Sequence, residues 1–355
     1  MQHSPQPGGD LKESPDPDQL PRNTILLGDV RERLRELPTA SIDCAVTSPP
    51  YFGVRNYGQE QQLGAEATIH EWVAELRAVC HELARVLRPT GSLWLNVGDT
   101  YAQRPSDGAT RKSLLLGPAR LALALMGDKW IIRNQVIWAK SNPMPSSTPD
   151  RLSATHEYFL FLTRSRSYYF NLDAIRVPIK TTAHQTTSDP GRTYPPAEAR
   201  QTWRTVNSNS GLSTMKASGA AGYPLGKNPG DVWTLATAGY RGGHFAVFPI
   251  TLAERPILTT CPERVCTACG QPWRRERQPH GGRLLATGPL IPACQCNASW
   301  RPGIVLDPFF GSGTVGVAAE RHHRDWIGVE LNPAYVALAE QRLRAERRHR
   351  ARVKR

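Results

Sequence analysis

Thr47-Ser48-Pro49-Pro50-Tyr51 closes a short apolar run, Ser41 to Thr47. Two consecutive prolines cannot continue a central strand, because each lacks a backbone donor and fixes φ. The motif therefore marks the point where a strand stops, either as an ordinary proline turn or as a built site. As a site it suits one chemical problem. The exocyclic amine of a nucleobase is a poor nucleophile because its lone pair is delocalised into the ring. If Ser48 Oγ and the Pro49 carbonyl accept its two N–H groups, the nitrogen is drawn toward sp³ and the lone pair is localised. Preorganised dipoles of this kind are worth most in a dry site. Tyr51 would stack on a base extruded from its helix. The chemistry requires neither a covalent intermediate nor a metal.

A second constellation is Asp307-Pro308-Phe309-Phe310-Gly311-Ser312-Gly313-Thr314. Glycines between a strand and a helix let the backbone approach a ligand closely. A triphosphate-binding loop needs Gly-Lys-Ser/Thr, and no Lys is present. A nucleophile elbow needs Gly two residues before the Ser, where Phe310 stands. Glu330 follows about 20 residues on, at the end of the next apolar run, where nucleoside-binding α/β folds place an acid that accepts hydrogen bonds from ribose hydroxyls. Strand, Asp, Gly-x-Gly, helix, strand and Glu in that order point to a nucleoside-containing cofactor; a plain tight turn followed by a surface Glu is the alternative.

The chain has 7 Cys, an odd number, and five of them fall between 261 and 296. A disulfide framework in a secreted protein is normally even and dispersed, so the cluster points to a metal in a cytoplasmic chain. Cys266-x-x-Cys269 has knuckle spacing, with Gly270 suited to its turn, and Cys294-x-Cys296 is one residue tighter. Four thiolates would close the coordination shell of a structural zinc holding an insertion, residues 261–299, that has little core of its own. Cys261 is a substitute ligand, and reduced cysteines in a loop are the alternative. Cys44 and Cys80 fall at packing positions.

These groups need a scaffold. Apolar runs at Thr24–Asp29, Ser41–Thr47, Ser92–Val97, Ile131–Trp138, Tyr158–Leu162, Gly303–Asp307 and Asp325–Glu330 read as strands. Ile69, Trp72, Val73, Leu76, Val79, Cys80, Leu83 and Leu87 recur with a helical period, and Pro89 and Gly91 end that helix. Further helices are predicted at Pro118–Met126, Val315–Arg321 and from Asn332-Pro333 through Leu343, with a short one at Ile250–Leu258 that Pro256 weakens. Strands alternating with helices predict an α/β fold with a mostly parallel twisted sheet. The chain divides into a disordered tail (1–22), a first half (23–177), a polar insertion (178–245), a second half (246–345) and a basic tail (346–355).

With 355 residues, 39% apolar and 21% charged, a sizeable core is available, and no run approaches a membrane span. The 44 Lys and Arg against 31 Asp and Glu leave a net charge of +13, which suggests a polyanionic partner, nucleic acid first. Arg111, Lys112, Arg192, Arg200, Arg204, Lys216 and Lys227 lie in or near the polar insertion, and the Arg-rich end from Gln341 reads as a frayed helix or as an arm touching phosphates.

Together, Ser-Pro-Pro-Tyr and Phe-x-Gly-x-Gly resemble the S-adenosylmethionine-dependent amino-methyltransferases of DNA, over roughly Asn23 to Leu343. The catalytic motif precedes the cofactor loop, the permuted β-type order. The resemblance implies a Rossmann-like methyltransferase fold, with the insertion at 178–245 as the target-recognition region and 246–345 as the cofactor half. It implies catalytic roles for Ser48, Pro49, Pro50 and Tyr51. It places S-adenosylmethionine against Asp29, Asp307, Phe309, Gly311, Ser312, Gly313, Thr314 and Glu330. Phe248-Pro249 resembles the element preceding the cofactor loop, and Asn96-Val-Gly-Asp99 and Trp138–Lys140 to His156-Glu157 resemble elements lining the base pocket. Ser at the first motif position resembles the cytosine-N4 members more than the adenine-N6 members, so N4 of cytosine in double-stranded DNA is the expected target and adenine N6 the alternative. A cognate restriction endonuclease is a candidate partner. A non-catalytic zinc-containing DNA-binding protein, and an enzyme acting on RNA or a protein amide, are the rival readings.

Overall fold

The computed structural model describes residues 20–55, 58, 62–179, 223–238, 248–280 and 283–353. The chain forms two compact units, residues 1–171 with 231–355, and residues 172–230. The first unit carries an eight-stranded sheet. Its elements in chain order are β1 (Thr24–Leu27), α1 (Val30–Glu36), β2 (Ile42–Thr47), α2 (Ile69–Val86), β3 (Leu87–Val97), α3 (Gly117–Gly127), β4 (Ile131–Lys140), β5 (His156–Thr163), β6 (Val232–Leu235) and α4 (Ile250–Thr260). Short strands β7 (Val265–Cys266), β8 (Arg274–Arg275), β9 (Gln278–His280), β10 (Arg283–Leu285), β11 (Leu290–Ile291) and β12 (Trp300–Arg301) follow. The last elements are β13 (Ile304–Asp307), α5 (Thr314–Arg321), β14 (Asp325–Glu330) and α6 (Pro333–Val353).

The sheet order is β1-β14-β13-β2-β3-β5-β4-β6. β5 pairs antiparallel with both neighbours, and all other pairings in the sheet are parallel. Buried side chains alternate along the central strands, as a sheet covered on both faces requires. Leu93, Leu95, Leu160, Leu162, Leu306, Ile327 and Val329 face one core with α1, α2 and α3. Trp94, Phe159, Phe161, Val305 and Trp326 face the other with α4, α5 and α6. On that second face Trp94 stacks on Phe161 with centroids 4.3 Å apart, and Phe310 stacks on Trp326 at 5.0 Å.

The α2 helix buries Ile69, Trp72, Leu76, Val79, Cys80, Leu83 and Val86, and a Thr68/Glu71 capping box starts it. It ends at Val86, because Leu87 already has extended backbone and opens β3. Pro256 does not stop α4. The proline lies inside a helix that runs to Thr260, held by the burial of Leu252, Ala253 and Ile257. Two other expectations change. The final helix continues past Leu343 to Val353, so residues 346–353 of the expected basic tail form its last turns. There Arg347 pairs with the Glu320 carboxylate, Arg350 donates to the Glu320 carbonyl, and Arg321 pairs with Glu346 at 2.9 Å. Val232–Leu235, expected within the polar insertion, is a sheet strand whose Trp233 is buried against Trp94.

The second unit, Leu172–Gly230, contains a 3₁₀ turn at Leu172–Ile175 and a bridge between Val177 and Lys227. Asp173 accepts hydrogen bonds from Arg176 (2.5 Å) and Tyr223 (3.2 Å). Arg192, Arg200, Arg204 and Lys216, and residues 1–19 of the expected tail, lie outside the described residues. Leu20, at the expected tail's edge, is buried in the first core.

Candidate active site

Both chemical motifs leave the carboxyl ends of neighbouring parallel strands. β2 and β13 pair through Cys44 with Val305 and Ala45 with Leu306, so Thr47 and Asp307 end together. The Thr47 hydroxyl donates to Asp307 Oδ1 at 2.6 Å, tying the strand before Ser48 to the strand before the glycine loop. Thr47 is fully buried, and nothing in its sequence position marks this role.

The four residues after Thr47 are held on several sides. Trp72 Nε1 donates to the Pro50 carbonyl (3.0 Å), and Gly53 N donates to Gly64 O (2.9 Å). Gly98 lies under the Tyr51 ring so closely that a Cβ there would come within 2.6 Å of Tyr51 Cε2. Tyr51 Oη donates to Glu157 Oε2 at 2.6 Å and lies 3.3 Å from Ser48 Oγ. Asn96 Nδ2, at the end of β3, donates to Tyr51 Oη (2.7 Å) and Glu157 Oε2 (2.8 Å). Lys140, at the end of β4, pairs with Glu157 Oε1 at 2.7 Å. The Glu157 carboxylate fixes the Asn96 amide, since a flipped amide would set oxygen against oxygen. In this orientation Asn96 Oδ1 is buried with no hydrogen-bond partner among the described residues. The Asn96 and Trp138–Glu157 stretches thus join the Ser48-Tyr51 motif, each supplying a strand-end polar group.

On the adjoining strands the second constellation is equally tight. Phe309 N donates to Asp307 Oδ1 (3.1 Å), and burial pushes the Asp307 carboxyl up to about 7 against these two donors. Gly311 and Gly313 have φ of 51° and 78°, a conformation suited to residues without Cβ. Glu330 Oε2 accepts from Gly311 N at 2.7 Å, and Oε1 accepts from Asn332 N at 2.8 Å. Burial still raises the Glu330 carboxyl above its ordinary range. Asp29 stands beside it, because Leu27 pairs with Glu330 and Gly28 N donates to the Glu330 carbonyl. Its carboxylate caps α1 and takes a bidentate pair from Arg31 (2.9 and 2.7 Å), which holds it below the usual carboxylate range. Arg342, in sequence only one of a run of basic residues, donates to Ser312 O (2.7 Å), Ser312 Oγ (2.6 Å) and Thr314 Oγ1 (3.1 Å). Pro249 caps α4, and Phe248 packs against the second core.

A cavity of about 550 Å³ opens beside the first motif. Phe52 and Gly53 form one wall, and Ser146, Arg151 and Ala154 of the β4–β5 loop form another. Asp99 and Glu66 line it, and burial raises both carboxyls.

At the opposite edge, ahead of β13, Cys266, Cys269, Cys294 and Cys296 converge, with all four Sγ atoms within 4.8 Å of one another. The Cys266 thiol is lowered to about 7, chiefly by the backbone N–H of Cys269. Gly270 N donates to Cys266 O at 3.0 Å, closing the knuckle turn. Cys261 takes no part. It is buried at the end of α4 in the second core, where burial pushes its thiol well up. Among the described residues the stretch from Val265 to Arg301 forms three two-stranded ladders, and Arg301, in the last of its strands, reaches Asp43 Oδ2 (2.7 Å) at the start of β2.

Residues 42–341 match the N6_N4_Mtase family, DNA methylase. The chain belongs to this family of DNA methylases. It is 32% identical over 353 residues to the Type II methyltransferase M.Cfr9I of Citrobacter freundii, covering 93% of this chain and 91% of the relative. It is 32% identical over 341 residues to the Type II methyltransferase M.SmaI of Serratia marcescens, with 90% of each covered. The Type II methyltransferase M.SfiI of Streptomyces fimbriatus is 45% identical over 170 residues, 45% of this chain and 40% of that protein. The methylase shares its fold with the PvuII DNA methyltransferase (cytosine-N4-specific), at a TM-score of 0.55 and 17% identity over 89% of this chain and 84% of the other. No helix among the described residues is long and apolar enough to cross a membrane.

Proposed function

We propose that this methylase transfers a methyl group from S-adenosylmethionine to the N4 amine of cytosine in double-stranded DNA. The observation that carries the reading is the Thr47–Asp307 bond, which brings the ends of β2 and β13, and so the two motifs, side by side. Ser48 Oγ and the Pro49 carbonyl accept the amine's two N–H groups, and the bonds to Pro50 and Tyr51 keep the motif in place. Ser at the first position favours cytosine N4.

The residues present fit S-adenosylmethionine. Glu330 is a buried carboxylate whose oxygens retain lone pairs beyond the two backbone donors they accept, as ribose hydroxyls require. Gly311, Ser312, Gly313 and Thr314 would hold it, with Asp29, Asp307 and Phe309 around them. When bound, it supplies an electrophilic sulfonium methyl. As the amine gains the methyl it must shed one proton. Ser48 Oγ accepts that proton and passes its own to Tyr51 Oη, which passes its own to Glu157. The Tyr51 hydroxyl already donates toward that carboxylate. Lys140 holds the carboxylate beneath the relay.

The cysteine centre fits a structural zinc. Bonds of about 2.3 Å place the sulfurs of a tetrahedron roughly 3.8 Å apart, and the thiols need only close in from their present spacing. Four sulfur ligands leave no open position for catalysis. The Type II names of the relatives support a role as the modification half of a restriction–modification system, with a cognate endonuclease as partner.

Expressing the chain in a host and weighing the nucleosides of its digested DNA tests the reading. N4-methylcytosine is expected, only N6-methyladenine would overturn the choice of base, and no new modified base would overturn the activity.

A further inference from the structure

The β4–β5 loop, residues 141–155, carries the two most exposed large hydrophobic side chains of the described residues, Met144 at 87% and Leu152 at 90%. A single exposed Leu needs no explanation, but two on one loop rooted in a polar site do. The loop leaves β4 at Lys140 and returns to β5 at His156, so its ends deliver Lys140 and Glu157. Its base is fastened: Lys140 N donates to Thr155 O (2.9 Å), and Thr237 N donates to Asn142 Oδ1 (2.7 Å). Pro143, Pro145 and Pro149 stiffen it. Beside Leu152, the Arg151 guanidinium lies 3.9 Å over the Tyr101 ring, and Lys112 pairs with Asp150 at 2.6 Å. Ser146, Arg151 and Ala154 of the loop line the same cavity as Phe52 and Gly53, just after Tyr51.

A base whose amine reaches Ser48 must leave its stack, and the duplex is then left with a hole. Proteins that distort DNA insert apolar wedges such as Leu, Ile, Met or Phe between base steps, and the same kind of side chain suits the gap an extruded base leaves. We propose that the 141–155 loop enters the duplex at the target, with Leu152 in the space the extruded base vacates and Arg151 and Lys112 facing the flanking phosphates. This rests on the proposed DNA substrate and deepens it by naming the group that keeps the base out. Leu152 is a positioning residue; it does not meet the reacting atoms.

The test compares the full-length protein with Leu152→Ala and Leu152→Met on two oligonucleotide duplexes carrying the site mapped by modified-base sequencing. One duplex is normal, and the other has an abasic position opposite the target, so that the base is already unpaired. On the normal duplex kcat/KM for Leu152→Ala should fall about tenfold or more, while Leu152→Met stays near wild type. On the abasic duplex Leu152→Ala should recover to within about threefold of wild type, and S-adenosylmethionine binding should be unchanged throughout. Equal losses on both duplexes, or no loss on either, would overturn the assignment of Leu152. Absence of transfer to either duplex by the wild-type protein would instead overturn the DNA-methylating reading itself.

Discussion

Replacing Glu157 with Gln tests the proton path without changing shape. Glu157 Oε2 accepts from Tyr51 Oη at 2.6 Å and from Asn96 Nδ2 at 2.8 Å, and Oε1 pairs with Lys140 at 2.7 Å. A Gln oxygen can still accept the first two bonds, but they become neutral ones. Bonds to a charged acceptor contribute about 1.5–3 kcal/mol and neutral ones about 0.5–1.5, so roughly 1 kcal/mol is lost for each. The Gln amide then faces the Lys140 ammonium, donor against donor, and Lys140 turns toward solvent. Its pair is partly exposed and is worth no more than about 1 kcal/mol. The variant should therefore be less stable by about 2–3 kcal/mol and remain folded. The rate should suffer more. An amide cannot take the proton handed on by Tyr51, and losing a positioned base costs about 10²–10⁴-fold. The assay is single-turnover methyl transfer across pH, with cofactor binding measured in parallel. Tyr51→Phe interrupts the same line, so the double variant should be little slower than either single one. A Glu157→Gln enzyme within about threefold of wild type, with an unchanged pH profile, would refute the relay.

Three other outcomes follow from contacts described above. Asp307 has its folded carboxyl raised from 3.8 to about 7, so the folded state binds the proton more tightly and stability declines as pH rises from about 4 to 7, then levels off. Denaturant titrations should show this slope, at most about 1.4 kcal/mol per pH unit, reduced in Asp307→Asn; parallel curves would contradict it. Metal analysis should find close to one zinc per chain, and Cys269→Ser or chelation should lower Tm, because the segment that the four cysteines gather is joined to β2 through Arg301 and Asp43; a metal-free protein of undiminished Tm would contradict the zinc reading. Arg342→Ala removes the donor to Ser312 and Thr314 and should weaken S-adenosylmethionine binding by about tenfold or more, as measured by calorimetry, with DNA affinity unaltered.

The parts legible in the sequence were those whose signal is local. The β2 and β13 strands end at chemically distinctive residues, so Ser48 and Asp307 could be assigned to strand ends without knowing what lay beside them. The periodic face of α2 likewise declares itself. Arg342 did not, because seven arginines crowd the last fifteen residues and nothing local singles out the one that reaches back to Ser312. Thr47 was hidden because its partner is 260 residues away. Cys261 looked like a ligand by proximity in sequence, yet α4 carries it into the core while the knuckle forms on the far side of Pro262. The continuation of α6 to Val353 is also a tertiary effect. Its polar composition alone suggests fraying, but Arg347, Arg350 and Glu346 find partners on α5.

The chain order of the two motifs has little bearing on the chemistry, and the sheet explains why. A parallel sheet delivers every strand's carboxyl end to one edge, whatever order the strands follow in the chain. β1, β14, β13, β2 and β3 all do this here, and β4 adds Lys140 at the same edge. β5 runs the other way, so its amino end brings Glu157 there instead. The proposed base pocket and cofactor loop therefore depend on β2 and β13 being neighbours. Asp43 reinforces that neighbourhood from the opposite end, where its carboxylate in β2 accepts from Ile304 N in β13 at 2.9 Å. A bond at each end of one strand pair, Asp43–Ile304 and Thr47–Asp307, fixes its register and hence the offset between Ser48 and Gly311. A change at Asp43 should thus disturb transfer although it lies a strand's length from the amine.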